Sequence, residues 1–282
     1  MRDGPKLTCH LLDTGYCTAF EPFVIQGGRW RIIECHSLVA LLGHPKHGWT
    51  LWDTGYSPRL WEATRAWPYR LYRWATPLHI RPELAVVNQL SHFGLEPRDI
   101  RRVILSHFHA DHIAGLADFP RAEILALREA VEAVEGLEGW QALRRAFVPT
   151  LLPDDFTRRL TLLERPQQLP TLGGLGPTLD LFGDGSARLV RLPGHARGQM
   201  GLFADTDRGP LCFVADACWL SESVRTGRLP NRVTNLIVDD AVQVRQTLQA
   251  IRSLAREQPD WQWIPTHCPE AFGRYVGAST RR

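Results

Sequence analysis

Five short apolar runs in this chain each stop on, or just before, a side chain that can bind a metal ion or carry a proton. That repetition limits the fold more than any other feature. Val103 to Leu105 leads into His107-x-His109-x-Asp111-His112, and Thr50 to Trp52 stops on Asp53. Leu189 to Leu192 runs through Pro193-Gly194 into His195, Cys212 to Ala215 stops on Asp216, and Trp263 to Thr266 stops on His267. Short apolar runs bounded by turn residues read as buried strands. In α/β sheets, functional groups gather beyond the carboxyl ends of the strands, so five such ends facing one crevice would form a dinuclear metal site.

The histidine cluster carries most of this reading. Alternate residues of extended chain point the same way, so His107, His109 and Asp111 can converge while His112, entering a helix, swings towards a second point. One tetrahedral ion takes about three or four protein ligands. The cluster alone nearly fills one such site, and His195, Asp216 and His267 extend the set to two. Taken singly, each downstream residue fits a cap, a turn or a buried polar position equally well; the argument rests on the set. His44 and His47 are also ligand types, but the turn cluster Gly43 to Gly48 places them on an exposed bend.

With 282 residues the chain is expected to form a single domain over 1–282, with an aromatic-rich insertion around 56–81. No run approaches the roughly 18 apolar residues that span a bilayer, and the N-terminal residues do not resemble a signal peptide, so a cytoplasmic protein without a membrane partner is expected. Six cysteines are scattered without a Cys-x-x-Cys pair and read as buried thiols, including Cys218 and Cys268 beside ligand positions. Basic residues are almost all arginine, with lysine only at Lys6 and Lys46, and the net charge is +3. No Lys/Arg block marks a nucleic-acid surface.

Residues 7–55 are strand-rich. The insertion concentrates Tyr56, Trp61, Trp67, Tyr69, Tyr72 and Trp74 among arginines. It fits an apolar wall over an active site, the interface of a homodimer, or core around a broken helix. Helical spacing runs through Leu84, Val87, Leu90 and Phe93 and ends at Gly94. Strands are expected over Ala122 to Leu127, Leu160 to Leu163 and Thr178 to Phe182, and helices over Arg128 to Glu135 and Ala241 to Arg256, the latter capped by Asp239 or Asp240. Residues 149–187 are Pro/Gly-rich and give little pattern.

His107-x-His109-x-Asp111-His112, followed by Pro-Gly-His195, Asp216 and His267, resembles the metallo-β-lactamase superfamily from Asp53-Thr-Gly to Pro265-Thr-His267. The resemblance implies an αβ/βα four-layer sandwich, two mixed β-sheets flanked by helices, with metals at the sheet edge. It implies that His107, His109 and His195 hold one Zn²⁺, that Asp111, His112 and His267 hold the other, and that Asp216 bridges them; Mn, Fe or Co also suits such donors. Asp53 resembles the acidic residue that orients a ligand from outside. Oxygen-reducing diiron members carry Glu at the position of His109, which disfavours redox chemistry here.

The implied reaction is hydrolysis of an ester-like bond, a lactone or carboxylic ester, by a hydroxide bridging the metals, with Asp111 passing a proton to the leaving group. The substrate is then a small molecule bearing an acyl chain. A phosphodiesterase or nuclease, or a thioester hydrolase, would use the same metals. A non-enzymatic, metal-stabilised binding protein fits less well, because one structural zinc needs only four ligands. Pro-Gly-His195-Ala-Arg-Gly-Gln-Met-Gly and Val-Ala-Asp216-Ala-Cys are most similar to the N-acyl-homoserine lactonase branch. There a Tyr three residues after the bridging Asp contacts the carbonyl oxygen; here Trp219 stands at that position, with an indole N–H but no hydroxyl. Tyr56 or Tyr72 could substitute, but nothing in the sequence places either hydroxyl.

Overall fold

The computed structural model describes residues 4–164 and 171–276; residues 165–170 of the Pro/Gly-rich stretch lie outside it. Among the described residues, twelve strands form two mixed sheets. The first comprises β1 (Thr8–Phe20), β2 (Ile32–His44), β3 (Gly48–Trp52), β4 (Leu78–His79), β5 (Ile100–Ile104), β6 (Glu123–Leu127) and β7 (Leu160–Leu163), in the order β4-β1-β2-β3-β5-β6-β7. The second comprises β8 (Thr178–Asp180), β9 (Ala187–Arg191), β10 (Met200–Thr206), β11 (Gly209–Ala215) and β12 (Gln262–Pro265), in the order β12-β11-β10-β9-β8.

The side chains of the second sheet show how the layers stack. Alternate residues of a strand face opposite sides. Leu202 and Ala204 of β10, with Leu211 and Phe213 of β11, join the core shared with the first sheet. Their neighbours Phe203, Cys212 and Val214 face outwards, against Leu248, Ile251 and Leu254 of the helix Ala241–Glu257. Burying each of these helix side chains is worth about 1.5–3 kcal/mol. Asp240 begins that helix, its Oδ1 accepting from the backbone N–H groups of Val242 and Gln243 at 2.8 and 3.0 Å. The result is the helix–sheet–sheet–helix sandwich expected.

Strand direction explains why the ligand types meet. β3 and β5 are parallel, so Asp53 and His107 leave the first sheet at the same edge. β11 and β12 are parallel as well, and β9 runs in their direction because each flanks β10 antiparallel or pairs beyond it. Its carboxyl end, before His195, therefore shares an edge with Asp216 and His267. Backbone bonds close the seam between the sheets there: Met200 N–H donates to Ser106 at 3.0 Å and Leu38 N–H to Thr266 at 3.2 Å.

Several expectations change in detail. His44 is not on an exposed turn; it ends β2, is 4% exposed, and its Nε2 lies 2.8 Å from Asp184 Oδ2. That pair ties the first sheet to the loop between β8 and β9. The run from 83 to 93 is not one helix but a 3₁₀ turn (Pro82–Leu84), a short helix (Val86–Gln89) and a second 3₁₀ turn (Leu90–Phe93), ended by Gly94 at φ 68° as expected. The Asn88 amide donates to the backbone carbonyl of Pro82 at 2.7 Å, a local bond of the kind that competes with helix formation. Strand β10 and the helices Ser221–Thr226 and Pro269–Tyr275 had no clear sequence signal. No described helix is long and apolar enough to cross a membrane.

Candidate metal centre

The ligand-bearing turns are held by the backbone around them. After β5 the chain runs through Leu105 and Ser106 to His107, then into the short helix Ala110–Ile113 that carries Asp111 and His112. Asp53 begins the turn after β3 with φ 60°, a left-handed conformation that Asp tolerates better than most residues. Its Oδ1 accepts from Ser106 N–H at 2.7 Å and its Oδ2 lies 2.9 Å from His112 Nδ1. Gly194, at φ 130°, brings the His195 loop against the helix Ala241–Glu257: a Cβ there would sit 2.3 Å from Val244 N. That loop is tied down where Asp240 N–H donates to Gly194 O at 2.8 Å and Asp239 N–H to His195 O at 3.0 Å.

All seven expected ligands meet, in two groups. Ligand atoms of His107, His109, His195 and Asp216 lie within 4.8 Å of one another, as do those of Asp111, His112 and His267. Asp216 Oδ2 is 3.3 Å from His195 Nε2 and 3.0 Å from His267 Nε2, so it stands between the groups. Asp111 Oδ2 is 3.3 Å from His267 Nε2 and 3.8 Å from His112 Nε2.

The outer nitrogens of the histidines decide which lone pairs face inwards. A carbonyl oxygen can only accept, so His267 Nδ1, 2.6 Å from His36 O, is a donor, and Nε2 is the ring nitrogen that faces the centre. By the same logic His112 Nδ1 donates to the Asp53 carboxylate. His107 Nδ1 is 2.9 Å from the Ser106 hydroxyl. Ser37 and Thr54 support the turn from outside, donating to the carbonyls of Asp111 at 3.0 Å and His112 at 2.9 Å. Sequence reasoning missed Ser106, Ser37 and His36. Only Ser106, adjacent to the cluster, carried any signal.

Three buried polar atoms point into the centre without a hydrogen-bond partner among the described residues: His107 Nε2, His112 Nε2 and Asp216 Oδ1. Each such atom costs about 1–3 kcal/mol. His109 Nδ1 and His195 Nε2 face each other at 3.0 Å. The charges agree with this. Burial and the neighbouring imidazoles hold His107 and His109 well below the ordinary histidine range, and burial lowers His195. Burial opposes charge on His112 and His267, yet Asp111, Asp53 and Asp216 push the first well up, and Asp216 and Asp111 push the second to about 9. Burial would raise Asp216, but His267, His112 and His195 hold it well down. Neutral imidazoles converge at one group; at the other, protons balance the carboxylates. Divalent cations would satisfy the orphaned atoms and replace those protons, so the donor set fits the metals expected.

Next to this centre lies a cavity of about 690 Å³, walled by Phe20, Phe23, Tyr56, Leu71, Tyr72, Trp140 and Ile237 and open to Asp111, His109, His195 and Asp216. The insertion thus divides. Tyr56 and Tyr72 are buried in the wall, whereas Trp61, Trp67 and Trp74 are exposed. Trp219 also lines the cavity, but its indole N–H donates to Asp216 Oδ2 at 3.3 Å. A second recess of about 560 Å³ reaches His109 and His195 from another side and carries Arg144, Arg145 and Arg197. His47 lies away from the centre, stacked on Phe182. Cys218 is a buried thiol raised far above its usual range by burial, and Cys268 Sγ accepts from Ser221 N–H at 3.2 Å.

Residues 32–267 match the family model of the metallo-beta-lactamase superfamily, and the chain belongs to that superfamily. It is a metal-dependent hydrolase. Its relatives include the N-acyl homoserine lactonase AttM of Azorhizobium caulinodans, 25% identical over 203 residues and covering 71% of this chain and 70% of that protein. A probable metallo-hydrolase of Mycobacterium tuberculosis is 26% identical over 284 residues, covering 95% of this chain and 83% of that protein. Among solved structures, an N-acyl homoserine lactone hydrolase with N-hexanoyl-L-homoserine at its catalytic metal center superposes with a TM-score of 0.69 at 18% identity, covering 94% of this chain and 95% of that one. AidC, a dizinc quorum-quenching lactonase, gives 0.63 at 15% identity, covering 95% and 89%.

Proposed function

We propose that the chain is a dinuclear zinc hydrolase of lactones or carboxylic esters that carry an acyl chain. The observation that carries this reading is the convergence of seven ligand types into two adjoining groups, with His107 Nε2, His112 Nε2 and Asp216 Oδ1 left without a hydrogen bond among the described residues. His107, His109 and His195 would hold one ion, Asp111, His112 and His267 the other, with Asp216 shared. Two ions held there would lower the pKa of water and polarise a carbonyl oxygen. The protein's own groups do the rest. Asp53 and the His36 carbonyl fix which nitrogens of His112 and His267 face inwards, and Ser106 holds the His107 ring, so that little reorganisation is needed on binding. Asp111, whose Oδ2 faces His267 and His112 and whose Oδ1 meets the Tyr72 hydroxyl, would carry a proton to the leaving oxygen. Trp219 orients Asp216 and closes one wall. The cavity takes the acyl chain and keeps water from the reacting bond.

AttM and the lactonase structures carry homoserine lactones in their names, and an apolar cavity beside the centre agrees with a similar substrate here. The arginine-lined recess is the one feature that favours a phosphodiester or a thioester with a distant anionic group. In domain terms, we read the chain as one catalytic domain in which residues 56–81 are an insertion serving the cavity wall. The test is a panel of acyl-homoserine lactones, simple esters, thioesters and a phosphodiester, offered to metal-loaded protein with and without a chelator. Chelator-sensitive turnover of lactones or esters above the other classes is expected. Preference for the phosphodiester or thioester would overturn the substrate assignment.

A further inference from the structure

We propose that Tyr72 is a catalytic residue whose hydroxyl donates a hydrogen bond to the carbonyl oxygen of the substrate as the ester bond is attacked. This rests on the ester-hydrolase reading above. The helix Arg70–Ala75 carries Tyr72 into the cavity wall, 9% exposed, with its hydroxyl 3.3 Å from Asp111 Oδ1. The other carboxylate oxygen of Asp111 faces His267 and His112. The phenol therefore stands one carboxylate away from the metal cluster, on the side where the cavity opens.

Several other donors of the cavity wall are engaged. The single N–H of the Trp219 indole goes to Asp216. Of the two tyrosines in the wall, Tyr72 is the one whose hydroxyl bonds to the Asp111 carboxylate. The Thr76 and Thr234 hydroxyls donate to the backbone carbonyls of Tyr72 and Asn231.

The bond to Asp111 leaves Tyr72 free to change partner. Hydrogen bonds from a hydroxyl to a carboxylate are ordinarily about 2.5–2.7 Å long, so a 3.3 Å contact is weak. A carbonyl oxygen entering from the cavity offers a second acceptor within reach. As the carbonyl carbon becomes tetrahedral, that oxygen gains negative charge and the bond from Tyr72 strengthens. No proton leaves the phenol. An interaction made mainly in the transition state raises kcat rather than lowering KM.

The experiment compares metal-loaded wild-type protein with Tyr72→Phe, which keeps the ring and so the wall packing. Three quantities are read: kcat and KM on the panel substrate turned over fastest, metal content per chain, and the affinity for decanoate by calorimetry. The proposal predicts a kcat lowered about 100–1000-fold, as for loss of one oxyanion donor, with KM changed less than about threefold. It also predicts unchanged metal content and decanoate binding weakened about tenfold. Unchanged kcat would overturn it. So would metal loss in step with activity, because Tyr72 would then only position Asp111. If the wild type hydrolyses neither lactones nor esters, the ester reading fails by itself. Decanoate affinity still decides on Tyr72: equal binding by both proteins overturns the donor role, and a tenfold loss supports it.

Discussion

Asp53 stands behind His112, so in the centre proposed above it would support one of the two ions. Its carboxylate is 1% exposed and accepts two bonds, from Ser106 N–H at 2.7 Å and His112 Nδ1 at 2.9 Å. Asp53→Asn keeps the size and tolerates the positive φ, but offers one acceptor oxygen to two donors and turns an NH₂ group towards one of them. Bonds to a buried charge are worth about 1.5–3 kcal/mol, and about 1.4 kcal/mol is a factor of ten. The ion held by Asp111, His112 and His267 should therefore bind about 10–150-fold more weakly, close to the range seen when a group supporting a metal-bound histidine is removed. The ion held by His107, His109 and His195 should be little affected. Competition with a graded series of chelators, read as metal per chain, resolves the two affinities. Two sites as tight as in the wild type would refute the reasoning, as would selective weakening of the His107 group.

Two further predictions concern the frame. Gly194→Ala forces a Cβ to within 2.3 Å of Val244 N at φ 130°; it should cost on the order of 3 kcal/mol and reduce metal content by displacing His195, measured by chemical denaturation and metal analysis. Asp184 is held at about 2, from an ordinary 3.8: partial burial opposes this, but hydrogen bonds from Ser186 and His44 outweigh it. A depressed carboxylate stabilises the fold above the unfolded value and loses that contribution as pH falls from about 4 to about 2. Asp184→Asn should therefore be less stable at neutral pH and flatter than the wild type across that acid window; parallel curves in pH-dependent melts would contradict it.

The convergence of the centre's side chains was legible in the sequence because each stands where a strand stops, and a strand's end is a local signal. Asp53, the His107 to His112 cluster, His195, Asp216 and His267 each follow an apolar run, and parallel neighbours bring those ends to one edge. His44 misled because the turn residues after it are adjacent in sequence, whereas its partner Asp184 is 140 positions away. The 83–93 run shows the opposite limit: its apolar spacing is helical, but side chain to backbone bonds at Asn88 and Ser91 break the ladder. Where Tyr56 and Tyr72 point could not be read, since an aromatic stretch has the same composition whether it faces solvent, core or a cavity.

The central claim is that seven side chains distant along the chain hold two cations side by side. It is tested most directly by counting metal ions in reloaded protein by mass spectrometry, for the wild type and for His107→Ala and His267→Ala, one residue from each group. The account predicts about two ions per chain in the wild type and about one in each variant. A wild-type chain that takes up no divalent metal, or variants that still hold two, would contradict it.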